Sequence, residues 1–227
     1  MSAYTFGIVS EGPTDFQVLT ALIMKLKPGD HIFRPIQPAL SETEGLGVKS
    51  NERHSNGWVG VLSWCASAVS GMSIEKFLDE TKIDFLVIQL DAEVAFEPSI
   101  NCARPCPDAE DTVLELEQII LSNLKEAAFS SRIICCVPSY NTEAWVLTGL
   151  DTDMLYHGNH KYIECEWKPD EIVSKPPFRA IKRKAGKAKK SQSEYRLKCV
   201  PVVLDRWDYI RQYCSQAEKF HQRIMQL

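Results

Sequence analysis

Apolar residues along this chain come in two rhythms, short continuous runs and stretches with helical spacing. Tyr4-Thr5-Phe6-Gly7-Ile8-Val9-Ser10 is rich in strand-favouring residues and stops at Glu11-Gly12-Pro13-Thr14-Asp15. Phe16, Leu19, Leu22, Ile23 and Leu26 then share one helical face, with Pro13 suited to the first turn and Lys27-Pro28-Gly29-Asp30 ending the helix. An extended stretch runs from Ile32 to Leu40, and the polar, glycine-containing Ser41–Asn56 reads as an exposed loop. Gly57 to Val69 carries Trp58, Val61, Leu62, Cys65 and Val69 at helical spacing.

Ile83 to Leu90 is a nearly unbroken apolar run, the pattern of a strand covered on both faces, and it stops at Asp91-Ala92-Glu93. A helix follows from Asp111 to Leu124, with Leu114, Leu116, Ile120, Leu121 and Leu124 on its apolar side. Next come a strand from Ile133 to Val137, a cap at Pro138-Ser139-Tyr140-Asn141 and a short helix from Thr142 to Leu150. Strands alternating with helices predict an α/β domain over 1–150 with a mostly parallel central sheet flanked by helices. Beyond it, 151–198 reads as polar and irregular. Val200 to Leu227 reads as one long helix striped by Val203, Trp207, Ile210, Cys214, Ala217 and Ile224. The second region, 151–227, is expected to pack on or extend the first.

The 227 residues carry a net charge of −4, which taken alone argues against a generally cationic nucleic-acid binder. The distribution reverses that reading. From Lys175 to Lys198 there are ten basic residues and one acid, Glu194, a local charge of +9; the remaining 16 basic and 29 acidic residues sum to −13. Lys175, Arg179, Lys182, Arg183, Lys184, Lys187, Lys189 and Lys190 are therefore candidates for holding a phosphate backbone, against the plainer reading of a solvated loop or a dock for an acidic partner. No secretory leader or spanning segment is visible, so a cytoplasmic protein with no membrane partner is expected. The eight cysteines are expected to be reduced thiols. Cys102 and Cys106, with His157, His160 and Cys165, have the rough spacing of a zinc site, but core thiols and loop residues are the favoured reading.

In an open α/β sheet, ligands bind beyond the carboxyl ends of the strands. Glu11 directly follows the first strand, and Asp91 and Glu93 follow the Ile83–Leu90 strand. Asp15 and Glu143 open the helices after the first and third apolar strands, where they serve equally well as helix-end partners. Clustered carboxylates repel one another, and a hard divalent cation with oxygen ligands relieves that repulsion. In an extended chain, Asp91 and Glu93 share a face and can reach one ion.

With these residues in view, Ile8-Val9-Ser10-Glu11-Gly12-Pro13-Thr14-Asp15 and Leu86-Val87-Ile88-Gln89-Leu90-Asp91-Ala92-Glu93 together resemble the topoisomerase–primase (Toprim) domain. The likeness is to small stand-alone prokaryotic Toprim-like proteins and to the nuclease half of the overcoming-lysogenization-defect (OLD) family. Pro138 to Trp145 resembles the Glu-Ala-Trp helix start of the stand-alone proteins, and the likeness covers about residues 4–150. It implies a Toprim-like fold, with Glu11 as general acid/base or metal ligand and Asp91 and Glu93 in place of an Asp-x-Asp metal pair. It also implies Asp15 and Glu143 as further metal ligands, with Mg²⁺ or Mn²⁺ as cofactor. Glu93 departs from the aspartate usual there and shifts the ion by about a methylene. The implied activity is phosphodiester cleavage of DNA or RNA in anti-phage defence, beside a partner ATPase. The competing reading is a non-catalytic Toprim-fold subunit that binds nucleic acid or a partner protein. Nucleotidyl transfer lacks visible nucleotide-binding elements, and a topoisomerase lacks room for its other domains.

Overall fold

Nearly continuous burial along three of its strands shows that the central sheet is covered on both faces. The computed structural model describes residues 3–38, 57–104, 109–151, 168–185 and 187–227. Four strands, β1 (Thr5–Val9), β2 (Ile32–Gln37), β3 (Phe85–Gln89) and β4 (Ile133–Cys136), pair in the order β2-β1-β3-β4, every pair parallel. Phe6, Ile8, Val87, Ile134 and Cys136 face one core, while Val9, Leu86, Ile88, Ile133 and Cys135 face the other. With both faces buried, the strands need no polar alternation, which is why their sequences read as apolar runs.

Among the described residues, six helices cover the first face: α1 (Pro13–Leu26), α5 (Glu143–Leu150), α6 (Pro169–Val173), α7 (Gln192–Asp205), α8 (Trp207–Tyr213) and α9 (Ser215–Met225). The second face is covered by α2 (Trp58–Ala68), α3 (Ile74–Thr81) and α4 (Ala109–Leu124). The expected helix at 57–69 is α2, shortened by one residue at each end. The helix α3 was not foreseen, although Ser73 caps it by accepting from the Lys76 amide. Leu114, expected on the apolar stripe of α4, is 48% exposed, because the buried face turns through Val113, Leu116 and Ile120 instead.

The C-terminal expectations need correction. The helix read from Val200 to Leu227 is three helices, and the first begins eight residues earlier, at Gln192. Arg206 (φ −106°, ψ 13°) breaks the first, and the extended Cys214 (φ −125°, ψ 101°) breaks the second. The breaks let Trp207, Ile210, Ala217 and Phe220 all reach one core, with Trp145 and Trp207 edge to face at 5.4 Å. A Cβ on Gly149 of α5 would lie 2.8 Å from Val202 Cγ1 of α7, so glycine permits this close helix approach. Arg223 of α9 donates to the Cys135 carbonyl at the sheet edge and, at 2.8 Å, to Glu117. That bond occupies an edge that would otherwise be open for pairing.

The 151–198 stretch is also less irregular than its composition implies. It contains α6, a hairpin of β5 (Lys182–Lys184) and β6 (Lys187–Lys189), and the start of α7. The loop read at Ser41–Asn56, and Cys106, His157, His160 and Cys165 of the zinc reading, lie outside the described residues. Cys102 is a half-buried free thiol. Among the described residues, no helix is long and apolar enough to cross a membrane.

Candidate functional site

The strand order itself selects a location. The chain leaves β1 toward β2 on one side, whereas β3 and β4 lie on the other, so the crevice beyond the carboxyl ends of β1 and β3 is a topological switch point. Glu11 and Asp91 follow those two strands. The two strand ends are linked in both directions: the Asp91 amide donates to Glu11 Oε1 at 2.7 Å, and the Glu11 amide donates to Gln89 Oε1 at 3.0 Å. Gln89, fully buried at the end of β3, also donates from Nε2 to Asp91 Oδ1 at 2.6 Å. One amide side chain thus ties the two strand ends together.

Pro13 starts α1 at once after Gly12, which brings Asp15 into the first turn, 4% exposed, where Thr142 Oγ1 donates to its Oδ1 at 2.6 Å. Glu143 opens α5 and has no exposed surface. Lys190 Nζ donates to its Oε2 at 2.6 Å, and its Oε1 has no hydrogen-bond partner among the described residues. Asp91 is extended, but Ala92–Phe96 is a 3₁₀ turn, so the expectation of an extended Asp91-x-Glu93 pair is corrected. The chain turns because the Ala92 amide bonds Pro138 O and the Glu93 amide bonds Tyr140 O, both in the β4–α5 loop. Asn141 Nδ2 then donates to Glu93 Oε2 at 3.3 Å, while Asn141 Oδ1 accepts the Glu143 amide.

All five carboxylates named from the sequence are therefore electrostatic neighbours. Burial, then repulsion from Asp15 and Glu93, pushes Glu11 from its ordinary 4.5 up to about 8, although the Asp91 amide and Lys190 work against the rise. Asp91 is held well above the usual range, first by burial and then by Glu11, Asp15 and Glu93. Asp15 is raised by burial and Glu143, with Lys190 and Thr142 opposing. Glu93 is pushed up to about 7 by burial and by Glu143 and Asp170, with Lys190 opposing. Burial alone would lower the Lys190 ammonium, but Glu143, Asp15 and Asp91 outweigh it and hold the pKa above its ordinary value.

Lys190 is one of the eight cations assigned to phosphate binding, and its ammonium turns inward. A third of its side-chain surface stays exposed along the stem (33%) while the charged end faces the acids. The stretch around it is anchored, unlike the solvated loop that is the plainer reading of its sequence. Glu171 bonds Arg183 Nη1 at 2.6 Å and the Ala188 amide at 3.1 Å, and lies 3.8 Å from Lys175. Lys182 pairs with Glu194 at 2.5 Å. Arg179, Lys184 and Lys189 are exposed and have no carboxylate partner among the described residues; Lys187 contributes its backbone to β6. The sequence reading missed Gln89, Asn141, Thr142 and Asp170. The signal for Gln89 was present, since it is a lone amide inside an apolar strand.

The donor set is all oxygen, crowded and under-neutralised, and it includes one buried carboxylate oxygen with no partner, which suits a hard divalent cation. As placed, however, the described residues contain no group of three or more His, Cys, Asp or Glu side chains already gathered in a metal-holding arrangement. Compared with known proteins, the chain matches no family model, no curated protein and no solved structure.

Proposed function

We propose that the protein is a Toprim-like, divalent-metal-dependent nuclease that hydrolyses phosphodiester bonds of DNA or RNA. The observation that carries this reading is the meeting of Glu11 and Asp91 at the β1/β3 switch point, with Asp15, Glu93 and Glu143 around them and Lys190 as the ammonium among them. Glu11, Asp91 and Glu93, assisted by Asp15 and Glu143, are the residues that would hold Mg²⁺ or Mn²⁺. When bound, such a cation neutralises phosphate charge and lowers the pKa of water. The chain's own groups do the rest. Glu11, raised to about 8 while no cation is bound, would give up its proton as the cation binds. The Lys190 ammonium sits where it can face a phosphate oxygen. Arg179, Lys184 and Lys189, exposed on the same anchored segment, offer contacts for the flanking backbone. By the family resemblance, the setting is cytoplasmic anti-phage defence beside an ATPase subunit.

The test is incubation of plasmid DNA and of RNA with the protein in Mg²⁺ or Mn²⁺, with EDTA as control. Cleavage lost in EDTA and in Glu11→Ala is expected. A Glu11→Ala variant that cleaves as wild type does would sink the assignment.

A second reading, a non-catalytic subunit that binds nucleic acid or a partner protein, draws on the Lys190–Glu143 ion pair. That pair already supplies a cation to the acids without any metal. It predicts binding without turnover and no effect of Glu11→Ala.

A further inference from the structure

Each of the five carboxylates has one oxygen held by a specific donor. Glu11 Oε1 accepts the Asp91 amide at 2.7 Å, Asp91 Oδ1 accepts Gln89 Nε2 at 2.6 Å, and Asp15 Oδ1 accepts Thr142 Oγ1 at 2.6 Å. Glu93 Oε2 accepts Asn141 Nδ2 at 3.3 Å, and Glu143 Oε2 accepts Lys190 Nζ at 2.6 Å. The second oxygen receives no hydrogen bond from another described residue in any of the five. For Glu143 that oxygen is buried and has no partner among the described residues. Three of the five donors, Gln89, Thr142 and Asn141, are neutral side chains at 0%, 0% and 3% exposure, so packing fixes them in place.

We infer that Gln89, Thr142 and Asn141 set the cation selectivity of this site by each engaging one oxygen, of Asp91, Asp15 and Glu93 respectively, and so favouring ligation through the other. The inference rests on the metal-site reading above and adds to it a selection rule. Mg²⁺ and Mn²⁺ accept octahedral coordination by single carboxylate oxygens and water, whereas Ca²⁺ prefers six to eight ligands and commonly takes both oxygens of a carboxylate. A site whose carboxylates each have one oxygen engaged therefore favours the smaller ions and discriminates against Ca²⁺. Gln89 carries the largest share, because one amide both engages Asp91 Oδ1 and holds the Glu11 backbone. It is a positioning residue: it acts through Glu11 and Asp91.

The experiment uses the full chain without substrate. Bound Mn²⁺ is counted by the electron paramagnetic resonance signal of the free ion, and Mg²⁺ and Ca²⁺ are titrated as competitors. In wild type, Mg²⁺ is expected to displace Mn²⁺ at lower concentration than Ca²⁺ does. Gln89→Leu is expected to move the Ca²⁺/Mg²⁺ competition ratio toward Ca²⁺ by about tenfold, the lower end of what loss of such supporting partners costs in metal affinity. Thr142→Val, nearly isosteric, should move the ratio in the same direction and keeps the test open if Gln89→Leu does not fold. Ile88→Ala, which loosens the same strand without freeing a carboxylate oxygen, is expected to leave the ratio unchanged. A ratio unaltered in the folded Gln89 and Thr142 variants, or shifted equally by Ile88→Ala, overturns the inference and leaves the metal site standing. A wild-type chain that binds no Mn²⁺ overturns both.

Discussion

The Lys190 ammonium lies 2.6 Å from Oε2 of Glu143, a carboxylate with no exposed surface. The two residues are 47 positions apart, and the hairpin that delivers the lysine is itself anchored by Glu171. A buried charge left alone is costly, so the pair makes the hairpin part of the site. Lys190→Met should destabilise the protein by about 2 kcal/mol, below the usual cost of breaking a buried pair because the lysine stem is partly solvated. Urea unfolding measures it, and an unchanged midpoint would mean that Glu143 does not depend on the lysine.

Stability should fall with rising pH across the neutral range when cations are removed. Glu11 is raised by burial and neighbouring carboxylates from 4.5 to about 8, and Glu93 from 4.5 to about 7. A carboxyl whose pKa is higher in the folded state contributes fully below pH 4.5 and loses that contribution as pH rises through 7 and 8. Asp15 and Asp91 shift in the same direction. Melting temperatures in EDTA should therefore drop between pH 5.5 and 8.5. The gain on adding Mg²⁺ should be larger at pH 8.5 than at pH 5.5, because cation and proton compete for the same oxygens. Differential scanning fluorimetry reads both effects, and a Mg²⁺ gain that shrinks with pH would count against the site.

The exposed cations of the anchored basic segment should behave as phosphate ligands. Removing Arg179, Lys184 and Lys189 together should reduce the slope of log affinity against log salt for duplex DNA by about 0.9 for each phosphate that is no longer neutralised. Lys182→Ala should change it less, since Glu194 already occupies that ammonium. Fluorescence anisotropy in EDTA across a salt series measures the slope, and equal effects of all four positions would point to diffuse charge instead.

The C-terminal helices should unfold with the sheet. Trp207, 1% exposed, packs on Trp145 in the core shared by α1, α5 and α7–α9. Trp207→Ala should cost about 3–5 kcal/mol in a single transition seen alike by circular dichroism and tryptophan fluorescence. Two separate transitions would mean that 151–227 folds independently.

The positions of Glu11 and Asp91 were readable in the sequence because an apolar run that stops at an acid states both the strand and its end. Their long-range partners were not. Nothing in the lysine-rich stretch distinguishes Lys190 from Lys189; hairpin register decides which ammonium turns toward Glu143. Asn141 read as a cap residue and Thr142 as the first residue of a helix, and only the meeting of α5 with α1 makes Thr142 a donor to Asp15. The apolar stripe from Val203 to Ile224 read from the sequence is buried throughout. Its spacing was continuous across two breaks, and that is why three helices read as one.

Diffraction from crystals soaked in Mn²⁺, collected for the manganese anomalous signal, tests the central claim most directly. The account predicts manganese among Glu11, Asp91 and Glu93, at the carboxyl ends of β1 and β3. Crystals with a fully ordered acidic cluster and no manganese there would contradict it.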